Sequence, residues 1–351
     1  MRLLKSWRVW LGCAISLLCL WLAFREVPVG ELLRLGATAD PVLLFLAVVF
    51  ILLSVITRSW RWLVLLDRTE GLGNAFWAEG IGFLFTNIFP LRLGEPARIL
   101  VMSERCQLPV MRVAASAIGG RLLDAGTNVF ILLLVLPWMQ VPPLIRSAGL
   151  SFGMLFLVGL GMLLLMVQFS LYGERIIQAV CSRLPVFSAE KMTARWRELV
   201  RGFLPLTRWR IAARAVGWSF VTWGCSLAVF WSVLCAFQSD ARLIEAAFMM
   251  VALSFAIAVP SSPGFIGIFQ FVGQQALVIP FGVKYDAATA LAITLTVHLV
   301  YYIPTTTVGV VGLWRLGESF VNLGRMITIR KPSDKMLPME EGVPEKSVKT
   351  S

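Results

Sequence analysis

The chain has 351 residues, of which 58% are hydrophobic and 15% charged, with a mean hydropathy of +0.79. An ordinary soluble fold is excluded, because such folds carry about a quarter of their residues as Asp, Glu, Lys and Arg. The formal charge of +12 would suit a nucleic-acid partner only if the cations formed one patch, and their positions along the chain rule that out.

Arg2, Lys5 and Arg8 precede an apolar run from Trp10 to Phe24, an arrangement that also fits a secretory leader. No small-x-small cleavage site follows, since Phe24-Arg25-Glu26-Val27-Pro28 is a poor one, and the run is read as an uncleaved first span. Five further runs approach twenty apolar residues: Val42 to Thr57, Ala114 to Trp138, Leu150 to Tyr172, Ala215 to Phe237 and Ala287 to Leu313. Between them lie two apolar segments broken in the middle. The first, about 76–105, contains Thr86-Asn87-Ile88-Phe89-Pro90-Leu91-Arg92-Leu93-Gly94-Glu95-Pro96-Ala97-Arg98. The second, about 244–280, contains Val259-Pro260-Ser261-Ser262-Pro263-Gly264-Phe265-Ile266-Gly267-Ile268-Phe269-Gln270. Each arm is too short to cross about 30 Å of hydrocarbon. The expected fold is therefore an all-α polytopic membrane protein with about six full spans, two re-entrant hairpins of broken helices and an inverted repeat, in one domain over 1–330. The segment 173–214, with Arg195-Trp196-Arg197 and Arg208-Trp209-Arg210, reads as a basic cytoplasmic loop in the headgroup layer. Residues 331–351 read as a disordered cytoplasmic tail.

The charge distribution agrees with this layout. Of the 32 Lys and Arg, 26 fall before the first span, in Arg58 to Arg112, in Arg175 to Arg214, or after Leu313. Arg25, Arg34, Arg146, Arg242 and Lys284 occupy the alternate segments, and Arg121 lies inside a span. This is the positive-inside pattern, with both termini cytoplasmic and an anionic leaflet as the secondary partner of the cations. Nucleic acid is excluded as a partner. The six cysteines show no CxxC spacing and the chain has one histidine, which argues against disulfide frameworks, metal sites and cofactors.

Interrupted helices entering from opposite faces are expected to bring their tips together near the midplane around a ligand site. Exposed backbone at that depth is tolerable only against protein or a watery cavity. At the first break, Glu95-Pro96 suits a helix start, and Arg92, Glu95 and Arg98 lie at or near membrane depth, with Asn87 just before them. The two arginines either fork onto an anionic group such as a lipid phosphate or snorkel to the interface. At the second break, Ser261 or Ser262 can cap a half-helix beginning at Pro263, and Gly264 and Gly267 permit close backbone approach. That helix end either receives an anion or is a plain kink. Gln270, one turn on, can hydrogen-bond but carries no proton-linked charge. Arg121 and Asp124, three apart on one helix face, can pair with each other, for packing or beside a cavity. His298, Tyr301 and Tyr302 lie on the last span, His298 as a packing residue or a proton relay. No Ser, His and acid arrangement and no phosphate loop is present, so the chain is not read as an enzyme.

The ordered set Pro90-Leu91-Arg92-Leu93-Gly94-Glu95-Pro96-Ala97-Arg98, Gly120-Arg121-Leu122-Leu123-Asp124 and Pro260-Ser261-Ser262-Pro263-Gly264-Phe265-Ile266-Gly267 resembles the lysylphosphatidylglycerol synthase transmembrane family over roughly Arg8 to Arg315. These are flippase-like membrane proteins whose domain occurs alone or fused to an aminoacyl-lipid transferase, as in the multiple peptide resistance factor. No such fused domain lies in these 351 residues. The resemblance implies lipid translocation or recognition, with Arg92, Glu95, Arg98, Arg121, Asp124, Pro263, Gly264 and Gly267 matching the family pattern. Two positions depart from it: Gly120 where relatives usually show Glu, and Gln270 where they often show an acid. That loss of carboxylates speaks against a borrowed proton-coupled mechanism.

The resulting expectation is a lipid flippase or lipid-handling transporter of a bacterial inner membrane that binds an anionic or polar headgroup in a midplane cavity. Arg92, Arg98 and Arg121 would hold phosphate, Glu95 and Asp124 would orient them, and Ser261 to Gly267 would give backbone donors. The rival expectation is a non-transporting partner that presents a polyprenyl-phosphate, hopanoid or phospholipid to a separate lipid-modifying enzyme or glycosyltransferase.

Overall fold

The computed structural model describes residues 7–25, 27–89, 92–139, 143–183, 188–258 and 262–318. The expected tail over 331–351 lies outside the described residues. The described chain is helical: α1 (Trp7–Phe24), α2 (Val29–Thr38), α3 (Pro41–Leu65), α4 (Leu72–Ile88), α5 (Gly94–Cys106), α6 (Val110–Val135), α7 (Pro143–Gln168), α8 (Ser170–Arg183), α9 (Ala189–Thr207), α10 (Trp209–Phe237), α11 (Leu243–Ala256), α12 (Ile268–Phe281) and α13 (Ala287–Arg315). Among the described residues six stretches are long and apolar enough to cross a membrane: Pro41–Leu65, Val110–Trp138, Gly149–Gln168, Trp209–Phe237, Pro263–Phe281 and Ala287–Arg315. The chain is a multi-pass membrane protein. Its outward faces are apolar where lipid would lie, as at Leu155 and Leu157 of α7.

The set of spans differs in detail from the sequence reading. The second arm of the second broken segment is long enough to count as a span, while α1 meets the measure together with α2 as one bent element. Two spans also extend farther into charged sequence than expected. α3 runs on through Arg58 and Arg61 to Leu65, and α10 begins at Trp209, inside the expected basic loop. Helix continuity prevails over local charge because both arginines of α3 find partners within the bundle. Segment 173–214 is itself largely helical, as α8, α9 and the start of α10.

Where helices start, the sequence provides the cap. Asp40 accepts the Val42 N–H at 2.8 Å with Pro41 in the first turn, and Asp286 accepts the Thr289 N–H at 2.7 Å.

The two broken segments fold as antiparallel helix pairs that open toward opposite ends of the bundle. In the first, Glu79 and Gly82 of α4 face Arg98 and Gly94 of α5. Its open end is tied where Arg68 donates to the Cys106 carbonyl at 2.9 Å, near the Arg208–Asp67 ion pair at 2.9 Å. In the second, Glu245 at the start of α11 meets Lys284 at 3.2 Å and the Tyr285 hydroxyl at 2.6 Å just beyond α12. That end also holds the Asp40 N–H bond to the Ala236 carbonyl, 3.0 Å, which joins α3 to α10.

Contacts between helices repeat with the two halves exchanged. α3 packs along α10; α4 of the first pair packs on α13, and α11 of the second packs on α6. This exchange is what an inverted repeat produces. Small residues make the α4–α13 seam close: a Cβ on Gly309 would collide with the Gly80 carbonyl, and Gly312 lies against Trp77.

Candidate functional site

The breaks in the two helix pairs meet. In the first, Ile88 ends α4 and Arg92 adopts a left-handed backbone, φ 54°, before α5 begins at Gly94. In the second, Pro263–Phe265 forms a single tight turn, with Gly264, Phe265 and Gly267 at φ 64°, 60° and 96°. The expected helix start at Pro263 is thus displaced to Ile268, because three left-handed residues cannot continue a right-handed helix. Ser262 caps nothing: its hydroxyl donates to the Ile266 carbonyl at 2.8 Å, and its N–H donates to the Ser16 hydroxyl of α1 at 2.9 Å. Ser261 lies outside the described residues. Both glycines serve close approach. A Cβ on Gly264 would lie 2.8 Å from the Tyr302 ring and 3.2 Å from the Asn87 carbonyl, and one on Gly267 would collide with the Ser16 backbone.

A directional chain of hydrogen bonds fixes the second break. The Gly267 N–H donates to Gln270 Oε1 at 2.7 Å, which turns the Gln270 amide nitrogen toward His298 Nδ1, also at 2.7 Å. Nδ1 is therefore the acceptor, and Nε2–H donates to the Gly264 carbonyl at 2.9 Å. His298 stacks on Phe269 and meets the edge of Tyr302. The Tyr302 hydroxyl in turn reaches the Asn87 carbonyl at 3.5 Å, and the Asn87 amide donates to Thr306 at 2.8 Å. One face of α13 holds both breaks.

Beside this face, ionic groups form two linked clusters. Arg98 is buried. It donates through Nε and Nη2 to Glu95 Oε2 at 3.0 and 2.8 Å and through Nη1 to Glu79, with its guanidinium 4.9 Å from the Trp62 ring centre. Glu95 also receives Arg121, so its carboxylate bridges two arginines and caps no helix. In the second cluster, Asp124 accepts from Arg61 at 2.6 Å, Arg58 at 3.2 Å and the Trp223 indole N–H at 3.0 Å.

The expected pairing of Arg121 with Asp124 does not form. An arginine three residues before an acid opposes the favoured order along a helix. The short, buried Asp124 instead faces the two α3 arginines, while the long Arg121 side chain, 57% exposed, extends to Glu95 of α5. Nor does Asp124 orient Arg92, Arg98 or Arg121 by hydrogen bond; that role falls to Glu95 and Glu79 for the last two.

Between the breaks and the clusters lies a cavity of about 200 Å³, lined by both. Asn87, Glu95, Arg98, Arg121 and Gly264 contribute to its wall, together with Arg58, Glu79, His298, Tyr301 and Tyr302. Arg92 is exposed and abuts the wall through Phe265, with 5.8 Å between guanidinium and ring centre. Gln270 supports the wall through His298, and Asp124 stands behind Arg58.

Arg58, Arg61 and Glu79 were not singled out by sequence. The first two counted as loop cations after an apolar run ending at Thr57. Glu79 reads in the sequence as one acid in an apolar run, although an acid at that depth needs a buried partner. Five guanidiniums thus surround three carboxylates, leaving the cavity region with surplus positive charge. Among the described residues no group of three or more His, Cys, Asp or Glu could hold a metal ion.

Residues 9–309 match the model of the family described as lysylphosphatidylglycerol synthase TM region. No curated protein matches the chain.

Proposed function

The chain belongs to the lysylphosphatidylglycerol synthase transmembrane-region family, a family of lipid-related membrane proteins, and from that premise we propose that it is a lipid flippase or lipid-handling transporter of a bacterial inner membrane. One observation carries the reading: a cavity with surplus guanidinium charge lies where two broken helix pairs, opening to opposite ends of the bundle, touch at their tips. Broken helices of this kind mark the substrate site of transporters built on inverted repeats. The cations fit the phosphate of a lipid headgroup, for which guanidinium geometry is suited. Arg98 is committed to Glu79 and Glu95, so it acts as the internal counter-ion that places Glu95. Arg121 and Arg58 are the contacts left to the headgroup. The termini and the end carrying Arg68, Arg105 and Arg208 face the cytoplasm. Glu79, Glu95 and Asp124, each tied to arginine, leave no free carboxylate to serve as a general base, and we assign the chain no catalytic step.

Native mass spectrometry with lipid analysis on the purified protein tests the site. The expected result is one anionic lipid class that co-purifies with the wild type and is lost in Arg121→Ala while thermal stability is kept. Co-purification of bulk lipids only, unchanged in Arg121→Ala and Arg58→Ala, would instead favour the rival, a non-transporting membrane partner of a separate lipid-modifying enzyme.

A further inference from the structure

A second cavity, of about 380 Å³, lies apart from the site between the broken helix pairs and shares no lining residue with it. It sits in the seam where α1 packs along α12. Ala287, two residues beyond Tyr285, borders it from α13, which puts it at the end of the bundle where Glu245 meets Lys284.

Gln274, on the wall of this cavity, is 3% exposed. Its amide nitrogen donates one proton to the Ala23 carbonyl in the last turn of α1, at 3.3 Å, and the other to the Ala287 carbonyl, at 3.0 Å. A flipped amide would set its oxygen against both carbonyls, so chemistry fixes the orientation. Both donors are thereby spent. Oε1 accepts from no described residue and is left to the cavity. A buried acceptor without a donor is costly, and purely apolar contents would leave it so.

The rest of the wall is amphiphilic. Gln275 and Arg25 supply polar groups, and Leu22, Phe271 and Val278 an apolar side. The Arg25 guanidinium lies 6.0 Å from the ring centre of the exposed Trp21. A Trp beside a cation at the end of an apolar helix marks the headgroup layer. The neighbouring surface, at Leu18 of α1 and Ile279 of α12, is exposed and apolar. The cavity therefore stands at headgroup depth with a flank on which acyl chains can lie.

We propose that this crevice holds one phospholipid, of the outer leaflet given cytoplasmic termini, whose headgroup ends in a hydrogen-bond donor. The terminal ammonium or hydroxyl donates to Gln274 Oε1, and the phosphate lies toward Arg25. This lipid is a fixed component, distinct from any lipid carried between the tips. The Ser16 hydroxyl of α1 also receives the Ser262 N–H at 2.9 Å, so a lipid that holds the end of α1 against α12 steadies the second break as well.

The test uses the full chain, purified in detergent and offered equimolar phosphatidylethanolamine and phosphatidylcholine of identical acyl chains. Both are zwitterions, and only the first can donate from its terminus. Retention is read by native mass spectrometry and stability by thermal unfolding. Phosphatidylethanolamine is expected to exceed phosphatidylcholine by about tenfold or more, the ratio set by one unmatched buried acceptor, and to raise the unfolding temperature. Leu22→Trp, which fills the crevice and leaves the Gln274 bonds in place, is expected to abolish both effects, and Gln274→Met to abolish the ratio. Arg121→Gln, in the other cavity, is expected to leave the ratio unchanged. Parity of the two lipids in the wild type would overturn the proposal. So would a ratio kept in Leu22→Trp or lost in Arg121→Gln, either of which places the lipid elsewhere and leaves the transport reading untouched. Displacement by soluble phosphoethanolamine at equal concentration would overturn the lipid in favour of a free solute.

Discussion

The guanidinium of Arg92 lies 5.8 Å from the centre of the Phe265 ring, and both residues have left-handed backbones, φ 54° and 60°. The tips of the two broken helix pairs thus touch through the one described non-glycine residue at each tip that has a positive φ. Such strain persists only where the surroundings over-determine it, and it clusters at functional sites.

Arg92 is the cleaner of the two for a stability test. Arg92→Gly loses the ring contact but relaxes the backbone, two effects of about 1 kcal/mol each that offset one another. Arg92→Val loses the contact and forces a β-branched residue into the left-handed region, so it should be less stable than Arg92→Gly by roughly 1–2 kcal/mol. Thermal unfolding in detergent checks this. Equal stabilities would mean that the left-handed geometry at position 92 is not the constrained one.

A Cβ on Gly94 would collide with the Gly82 carbonyl and the Thr86 hydroxyl across the first pair, whereas one on Gly224 of α10 meets nothing within 4 Å. Gly94→Ala should therefore cost about 3 kcal/mol through overpacking, and Gly224→Ala should cost nothing measurable. A silent Gly94→Ala would contradict the close antiparallel packing of α4 on α5.

Arg98→Ala strands the buried Glu79, leaves Glu95 with Arg121 alone, and should destabilise by about 3–5 kcal/mol. Adding Glu79→Gln should recover part of that loss. Arg121→Ala breaks an exposed pairing and should cost no more than about 1 kcal/mol, with its effect appearing in lipid retention instead. A reversal of the two arginines in stability would sink the division into counter-ion and headgroup contact.

His298→Phe removes both bonds of the ring and leaves the Gly264 carbonyl and the Gln270 amide unpaired, at about 2–3 kcal/mol. Gln270→Leu breaks the same chain from its other end. In a double-mutant cycle the pair should cost less than the sum of the single changes, by about 1 kcal/mol. Strict additivity would show that the chain from Gly267 to Gly264 does not act as a unit.

Much of the architecture was legible in the sequence because lipid simplifies the reading. Long apolar runs give spans, and Pro and Gly inside them give breaks. The contents of the site were less legible. Arg58 and Arg61 follow an apolar run that ends at Thr57, so they read as the first charges of a loop, although the helix continues to Leu65. Their partner Asp124 lies 63 and 66 residues away, a separation no local pattern reveals. Arg121 and Asp124 showed the opposite fault: three apart on a helix they suggest a pair, yet each has a better partner on another helix. At the second break, Ser262 before Pro263 is a good helix start in isolation, and only the positive φ of Gly264, Phe265 and Gly267 moves the start to Ile268.

The central claim, that a lipid headgroup is carried through the cavity between the two tips, is tested most directly by transbilayer movement of labelled phosphatidylglycerol in vesicles containing only the purified protein. The account predicts movement well above protein-free vesicles, lost in Arg58→Gln and Arg121→Gln at unchanged reconstitution. Wild-type protein that retains phosphatidylglycerol yet leaves the label on its original face would contradict transport and leave a lipid-presenting subunit as the function.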